Sequence, residues 1–413
     1  MEQKVNFLHK IIMFITLFCS ADTLLFGSTE DTGWILVRYI METGIVVWLL
    51  GRQVYKKKIA VTGSEICLIS MVLLTLCSGI FNRDWRFGYI YIIILLIMGW
   101  TISKDIPFEI FANYFCEFMK VFSVISIIFF GIYVCFNQVM EMLPVVTNAA
   151  GREHYTIVLS SMPTEFYLDQ YRNSSFFREP GVFQMYLVWA LMLEIFWKKK
   201  MNVMNCIIFL TALITTFSTT AYIAVAILVV CYFFKKGDDR DAVIKKILFV
   251  AGGLLLIWVV RYTDLLAPDG IIFGKFTSSG HPSVSARYAS FIVNIIMIFK
   301  SPLWGNGLSF TGGNFSTYAM EYLNLKVSDN TIMILYMMAT LGIAFGSLFM
   351  TGIWKYCKKL TNSRILQLGL VSIFLVLFIG ENLIFSPITY IFAFYGFGEW
   401  NRVVKHNESL DSK

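Results

Sequence analysis

The stretch 171–184 carries the residues of this sequence best suited to bind an anion. It contains two arginines, Arg172 and Arg178, and leads through Pro180 into an apolar run. Proline is favoured in the first turn of a helix, and a helix N-terminus offers free N–H groups to an anion. The pattern therefore predicts a diphosphate-binding site. The alternative is an ion pair between Arg178 and Glu179 that anchors the helix.

A third arginine stands at another boundary between polar and apolar sequence. Arg287 precedes an apolar run at 288–299, which is too short to cross a bilayer and predicts an interfacial or re-entrant helix. The segment S-P-L-W-G-N-G follows at 301–307, and its glycines favour a tight turn. A cation at a helix N-terminus is unfavourable unless an anion or acidic partner lies nearby. Arg287 is therefore a further candidate for the diphosphate site.

Three carboxylates are candidates for a general base. In order of preference they are Glu381, which ends an apolar segment without a local partner, Glu179 and Asp329. Ionisable residues in spans are costly and mark functional sites by default. The alternative for Asp329 is a helix cap, since it lies in Ser-Asp-Asn before an apolar segment. The outer segments contain no Asp-x-Asp motif, so no metal site is predicted.

Other polar residues are interpreted as structural. Arg38 and Glu42 are four residues apart in one apolar segment, which favours an ion pair on one helix face, and Asp22 is expected to join it. His154 and His281 lie in polar loops and are predicted to have structural roles.

Composition sets the class of protein that must position these residues. The chain has 413 residues, of which 57% are hydrophobic and 15% charged, against about 45–50% and about 25% in soluble domains. Since one spanning helix needs about 20 apolar residues, we predict an all-α, polytopic integral membrane protein. It forms one domain, 1–413, with about 12 spans, and is neither a soluble enzyme nor a nucleic-acid binder. The predicted spans are 7–27, 33–50, 63–81, 87–102, 119–139, 181–197, 202–220, 221–234, 247–262, 329–354, 365–385 and 387–400.

Basic clusters predict the orientation of these spans. Each cluster follows an even-numbered span, so all share one face, and lysine and arginine favour the cytoplasm. The clusters are Arg52 with 56–58, 198–200, 235–246 and 355–364. Both termini are then cytoplasmic, and two large loops, about 140–180 and about 263–328, face outwards. The first apolar segment is interpreted as a retained span rather than a cleaved signal peptide.

Four short motifs in this order resemble the O-antigen polymerase and O-antigen ligase superfamily of bacterial surface-polysaccharide assembly. They cover roughly residues 170 to 345 and lie on one predicted face. The motifs are F-R-E-P-G-V-F at 177–183, F-S-T-T-A at 217–221, Arg287 ahead of S-P-L-W-G-N-G, and S-D-N at 328–330 with L-G at 341–342.

The resemblance implies a glycosyltransferase in the bacterial plasma membrane that needs neither metal nor cofactor. A repeat-unit polymerase of O-antigen or capsule transfers an undecaprenyl-diphosphate-linked glycan chain to a lipid-linked repeat unit, with inversion. Arg178, Arg287 and Arg172 would bind the diphosphate, and Glu381, Glu179 or Asp329 would act as base. Donor and acceptor are both lipid-linked oligosaccharides, and a chain-length regulator is a further expected partner.

Two alternatives to the polymerase stay open. The ligase branch usually has a loop histidine, where this chain has Ser328 and Asp329, and the position of His281 is not the usual one. A flippase or other transporter of lipid-linked oligosaccharide would also have many spans, but such folds often show internal repeats, and the sequence shows none.

Overall fold

The computed structural model describes residues 2–55, 62–164, 172–198, 200–235 and 282–400. Most of this part of the chain is helical. In chain order the helices are α1 (Glu2–Phe18), α2 (Leu24–Gly27), α3 (Thr32–Tyr55), α4 (Gly63–Phe81), α5 (Phe87–Asp105), α6 (Phe108–Cys135), α7 (Asn137–Met140), α8 (Pro180–Met192, continued by a π-helical turn, Leu193–Trp197), α9 (Val203–Thr215), α10 (Thr219–Phe234), α11 (Pro282–Lys300), α12 (Gly307–Leu323), α13 (Met333–Leu341), α14 (Ile343–Leu360), α15 (Arg364–Gly380) and α16 (Pro387–Phe397).

Five of these helices are long and apolar enough to cross a membrane, as expected for an α-helical membrane protein. They are α3, α4, α5, α6 and α8 with its π-helical turn. Shorter apolar helices cover further predicted spans: Phe7–Phe18, Val203–Thr215, Thr219–Phe234, Arg364–Gly380 and Pro387–Phe397. The predicted span at 247–262 lies outside the described residues.

The surface of α3 shows the burial pattern of a helix in lipid. It exposes Leu36, Ile40 and Val47, which are 59%, 61% and 64% accessible, and buries Arg38 and Glu42. A soluble helix places charged residues on the opposite face, towards water. Charged side chains inside membrane bundles characteristically face the bundle interior. The pattern of α3 therefore fits a lipid environment.

Two predicted spans end earlier than their hydropathy suggests. The segment predicted as a span at 7–27 unwinds after Phe18, and the next helix begins only after Thr23, whose hydroxyl accepts a hydrogen bond from the Phe26 N–H. The segment predicted at 365–385 ends as a helix at Gly380. The next helix, α16, begins at Pro387, and proline is favoured in the first turn of a helix. Residues 381–386 therefore form a link between α15 and α16. Both unwound links belong to the candidate site.

The predicted span at 329–354 is broken at Gly342, whose φ of +93° favours glycine. The motif at 301–307 fills the break: the Ile343 N–H donates to the Pro302 carbonyl oxygen at 2.9 Å, and the Asn306 N–H to Ala339 at 2.8 Å. A Cβ at position 342 would lie 2.0 Å from the Leu303 carbonyl oxygen. This motif thus packs into the break and holds α11 and α12 against α13.

The loop before α8, which was predicted to face outwards, contains a small β-sheet, which the all-α prediction missed. Its strands are β1 (Val145–Thr147), β2 (Glu153–Thr156) and β3 (Ser161–Pro163), and both pairings are antiparallel. Strands of three or four residues give too little alternation for detection from sequence. The Ser161 N–H donates to the Ser175 carbonyl oxygen at 2.7 Å, so the sheet supports the segment before α8.

Helix α8 lies in the protein interior. Its residues from Gly181 to Met192 are all buried, and it packs against α6, α9 and α10. Its own large aromatic side chains, among them Phe183, Tyr186 and Trp189, have no accessible surface. The N-terminus of this buried helix is therefore a fixed point on which a site can be built.

Candidate functional site

Arg178 lies where three separated chain segments meet. Its backbone N–H donates to the Asp22 carbonyl oxygen at 2.9 Å, in the unwound link after α1. Its side-chain Nη2 donates to the Asn382 carbonyl oxygen at 3.1 Å, in the link after α15. The predicted ion pair is present too, with Nε 3.4 Å from Oε1 of Glu179. Glu179 is 47% exposed, so this pair alone contributes little to stability.

Glu381 sits against the N-terminus of α8. A Cβ placed on Gly181 would lie only 1.7 Å from Oε1 of Glu381, so glycine is the residue that leaves room for the carboxyl group. The helix begins at Pro180, as the sequence predicted. Free N–H groups at this terminus favour an anion.

The electrostatic surroundings of Glu381 are mixed. Burial raises the pKa of the Glu381 carboxyl group well above its usual range, and the nearby Glu179 carboxylate raises this pKa further. The Arg178 and Arg287 guanidinium groups act in the opposite direction. A carboxyl group with a raised pKa is better matched to proton transfer near neutral pH than an ordinary glutamate.

The other two arginines reach the same cluster from different elements. Arg172 Nε donates to the Thr216 carbonyl oxygen at 3.0 Å, in the turn between α9 and α10. Arg287, on α11, donates from Nη2 to Oγ1 of Thr220 at 3.4 Å. Both interact electrostatically with Glu381. We call the group formed by Arg172, Arg178, Glu179, Arg287 and Glu381 the arginine–glutamate cluster.

The remaining predicted base, Asp329, lies elsewhere. Its side chain is exposed, and Oδ1 accepts a hydrogen bond from the neighbouring Ser328 hydroxyl at 3.3 Å. The predicted capping role is also wrong, because α13 begins only at Met333, after Ile332. The Asp329 carbonyl oxygen accepts a hydrogen bond at 3.4 Å from the hydroxyl of Ser290, which lies three residues after Arg287 on α11, but no described contact joins Asp329 to a residue of the arginine–glutamate cluster.

Asp22 also lies in this region, where the sequence-based prediction did not place it. It was expected to pair with Arg38 and Glu42, but its Oδ2 accepts hydrogen bonds from the hydroxyls of Tyr186, at 2.5 Å, and Ser386. Arg38 donates instead to the Phe26 carbonyl oxygen at 2.7 Å. The cause is the unwinding after Phe18, which hydropathy did not indicate.

A second carboxylate meets a helix N-terminus at α12, and sequence reasoning missed it. Asp84 accepts hydrogen bonds from the Ser309 N–H and hydroxyl, both at 2.7 Å, and from the Tyr89 hydroxyl at 3.1 Å. Burial raises the pKa of Asp84, but these hydrogen bonds outweigh it, so the pKa falls below its usual range. Asp84 therefore caps α12 from a distant turn.

His154 is buried in β2, within 3.4 Å of the Asn148 side chain, which agrees with a structural role. His281 lies outside the described residues. Within the described ranges, no three His, Cys, Asp or Glu side chains are grouped closely enough to hold a metal ion.

Comparison with known proteins adds no relative to this picture. No protein-family model matches the sequence, and a search of curated proteins returned no match.

Proposed function

We propose that the protein is a membrane glycosyltransferase that polymerises oligosaccharide repeat units carried on undecaprenyl diphosphate. The observation that carries this proposal is the arginine–glutamate cluster, which gathers three guanidinium groups and a carboxyl group at the N-terminus of the buried helix α8. Guanidinium groups bind phosphate oxygens in a bidentate manner. A carboxyl group beside them suits a reaction in which a diphosphate leaves and a hydroxyl loses a proton.

The proposed reaction is a single displacement. A hydroxyl oxygen of the incoming lipid-linked repeat unit attacks the anomeric carbon of the reducing-end sugar of the growing chain. The bond between that carbon and the diphosphate oxygen breaks, and the configuration inverts. The hydroxyl proton passes to a carboxylate, for which Glu381 is the first choice and Glu179 the second, and polyprenyl diphosphate departs.

The arginines act on the charge that develops during this step. Negative charge accumulates on the leaving diphosphate, and fixed cations stabilise it most in a site shielded from water. Arg178 is held by Asn382, Arg172 by Thr216 and Arg287 by Thr220, so little reorganisation is needed when the substrate binds. We assign all three to the diphosphate.

The proposed setting is the outer face of a bacterial plasma membrane. The C-terminal ends of α1 and α15 and the N-terminal ends of α8 and α10 meet at the cluster. The basic clusters of the sequence assign these same ends to the outer face, with about 12 spans and both termini cytoplasmic. Lipid-linked donor and acceptor, and a chain-length regulator, are the partners that this proposal requires.

The test is complementation in a cell that lacks its own copy of the protein. Wild type, Arg178→Ala and Arg178→Lys are compared at equal protein level by running the surface polysaccharide on a gel. Arg83→Ala is the matched control, since Arg83 is an exposed arginine in the turn between α4 and α5. We expect a ladder with wild type and Arg83→Ala, and a single repeat with both Arg178 variants.

The other outcomes separate the alternatives. If every variant gives a ladder, the assignment of the diphosphate site is wrong. If wild type gives no ladder but determines whether polysaccharide reaches its final anchor, the protein is a ligase of the same superfamily. If lipid-linked repeat units accumulate on the inner face without the protein, it is a flippase.

A further inference from the structure

A polar cavity of about 160 Å³ lies beside the arginine–glutamate cluster, on the side of α3 and α5. Its lining includes Arg178 and Asn382 from the cluster side, Asp22 from the link after α1, and Arg38 and Tyr91 from the helices. Since one water occupies about 30 Å³ in the liquid, the cavity has room for about five waters or for a group of phosphate size. Arg178 thus belongs both to the arginine–glutamate cluster and to the lining of this cavity.

Arg38 presents a buried guanidinium group to this cavity. Its side chain is only 5% exposed, although it lies on a helix whose other face is apolar. One nitrogen donates to the Phe26 carbonyl oxygen at 2.7 Å, and the guanidinium carbon lies 4.6 Å and 5.0 Å from the ring centroids of Tyr39 and Tyr91. These contacts fix the position of the cation.

The hydrogen-bonding capacity of Arg38 is not exhausted. Its Nε has no hydrogen-bond partner, and neither carboxylate oxygen of Glu42 accepts a hydrogen bond from it. Arginine keeps its charge in proteins, and a buried charge is costly unless it is paired. Nε of Arg178 lies 3.4 Å from Oε1 of Glu179 but makes no hydrogen bond. Both arginines thus line the cavity, and neither Nε has a hydrogen-bond partner.

The charge of the lining favours an anion. Within the lining, Arg38 and Arg178 contribute two positive charges, and Asp22, which accepts hydrogen bonds from Tyr186 and Ser386, contributes at most one negative charge. Outside the lining, Glu42 interacts electrostatically with Arg38, and Glu179 forms an ion pair with Arg178. Two arginines around a pocket of this size form the usual recognition pattern for a phosphate group.

We propose that this cavity is a phosphate-binding site, with Arg38 and Arg178 as its two guanidinium ligands. Its assignment to the diphosphate of a second lipid-linked substrate rests on the proposed function. A polymerase handles two diphosphates at once, and Arg178 belongs both to the lining of this cavity and to the arginine–glutamate cluster with Arg172 and Arg287. One diphosphate then binds on each side of Arg178.

The test measures binding to the purified full-length protein in nanodiscs of neutral lipid. The probes are farnesyl diphosphate, inorganic pyrophosphate and farnesol, with dissociation constants from isothermal titration. We expect wild type to bind two molecules of farnesyl diphosphate, and Arg38→Gln to bind one of the two at least about tenfold more weakly, as loss of one charged hydrogen bond predicts. Arg83→Gln is the matched control and retains wild-type affinity.

Further arms identify the source of the phosphate and guard against misfolding. Pyrophosphate binding without preference for farnesyl diphosphate indicates a free phosphate ligand, and competition by phosphatidylglycerol in the nanodisc indicates a bilayer headgroup. Arg38→Lys keeps the charge and is expected to lose less affinity than Arg38→Gln at an unchanged melting temperature.

Two results overturn the proposal. One is an Arg38→Gln protein that binds as many molecules of farnesyl diphosphate and of pyrophosphate as wild type, with the same affinities, and the other is the absence of binding by wild type to either phosphate probe. The complementation ladder tests the proposed function separately. If Arg38→Gln loses probe binding but wild type gives no ladder, the phosphate site is supported and the polymerase function is wrong. If wild type gives a ladder but Arg38→Gln keeps wild-type probe binding, only the phosphate site is wrong.

Discussion

Two helices of this protein begin at a carboxyl group supplied by a distant segment, and the two carboxyl groups are in opposite states. At α12, Asp84 accepts three hydrogen bonds from Ser309 and Tyr89. At α8, Glu381 adjoins Gly181 and shares its surroundings with Glu179 and the arginines. The pKa of Asp84 is lowered and that of Glu381 is raised.

On the proposed function, the difference separates a structural carboxylate, Asp84, from the proposed general base, Glu381. Every donor around Asp84 belongs to the protein and is directed at its oxygens, so its ionised form is part of the fold. Around Glu381 the arginines are anchored on carbonyl and hydroxyl oxygens of other segments, which leaves part of their donor capacity for a ligand. A helix N-terminus alone therefore does not identify a candidate site. The hydrogen-bond donors that remain available to a ligand around it are what distinguish one.

The largest predicted effect is on transfer by Glu381→Gln. Glutamine has the same size but accepts no proton, so we expect the transfer rate to fall by about 10²- to 10⁴-fold, the usual contribution of a general base. Stability should be unchanged or slightly higher, because a buried carboxyl group with a raised pKa is replaced by a neutral amide. The assay is ladder formation at matched protein level, with Glu109→Gln, an exposed residue of α6, as control.

The Glu381 variant also has a predicted pH signature. In wild type the ionised fraction of a base with a raised pKa increases with pH, so the transfer rate should rise as pH rises through that pKa. Glu381→Gln should lose this rise. A rate that is pH-dependent in the same way in both proteins would assign the base to another residue.

Gly181→Ala should disturb the same contact less completely. The added methyl group meets Oε1 of Glu381 at 1.7 Å, and a displacement of about 1 Å in a catalytic group costs up to about 10²-fold in rate. Gly131→Ala on α6 is the matched control, because a Cβ there meets nothing within 4 Å. A transfer rate in Gly181→Ala equal to that in Gly131→Ala would mean that transfer does not depend on the position of Glu381.

Asp84→Ala should affect stability and leave the chemistry alone. It removes the acceptor for Ser309 and Tyr89, and stranded buried donors cost about 1–3 kcal/mol each. We expect a loss of about 2–4 kcal/mol in unfolding free energy, seen as a lower melting temperature, with normal transfer per folded molecule. Glu321→Ala, exposed on α12, provides the control. Loss of transfer without loss of stability would contradict the structural role.

The smallest effect concerns His154 in the small β-sheet before α8. Burial, and then the charge of Arg152, lowers the pKa of His154 from 6.5 to about 4. The unfolded chain therefore binds a proton between these values and the folded one does not, so sheet stability should fall as pH drops from about 6.5 towards 4, and be unaffected above. Hydrogen exchange of β2 measures this, and His154→Gln should abolish the pH dependence.

All five members of the arginine–glutamate cluster were selected individually from the sequence, but their proximity in the fold was not predicted. Residue type and helix-start chemistry were enough to select Arg178 and Pro180, and the lack of a local partner selected Glu381. Hydropathy cannot show where an apolar segment stops being helical, so the unwound links that bring Asp22 and Asn382 to Arg178 were not predicted. These links are set by tertiary hydrogen bonds such as that of Tyr186 to Asp22.

Other differences have equally local causes. The role of Asp84 was not predicted, because a single aspartate in a short turn is compatible with many ordinary structural roles. The break at Gly342 was hidden within a continuous apolar segment, and only the insertion of residues 301–307 requires it. Asp329 was selected for a motif and a helix start, and the helix begins four residues later.

A double-mutant cycle on Arg178 and Arg287 tests most directly whether arginines from distant segments act on the same diphosphate. Transfer is measured as the initial rate of ladder growth for wild type, Arg178→Lys, Arg287→Lys and the double variant, at equal protein level. If both arginines stabilise the same diphosphate, the combined loss should differ from the product of the single losses by more than about threefold. Losses that multiply within that margin would show that the two arginines act independently, and would contradict a shared site.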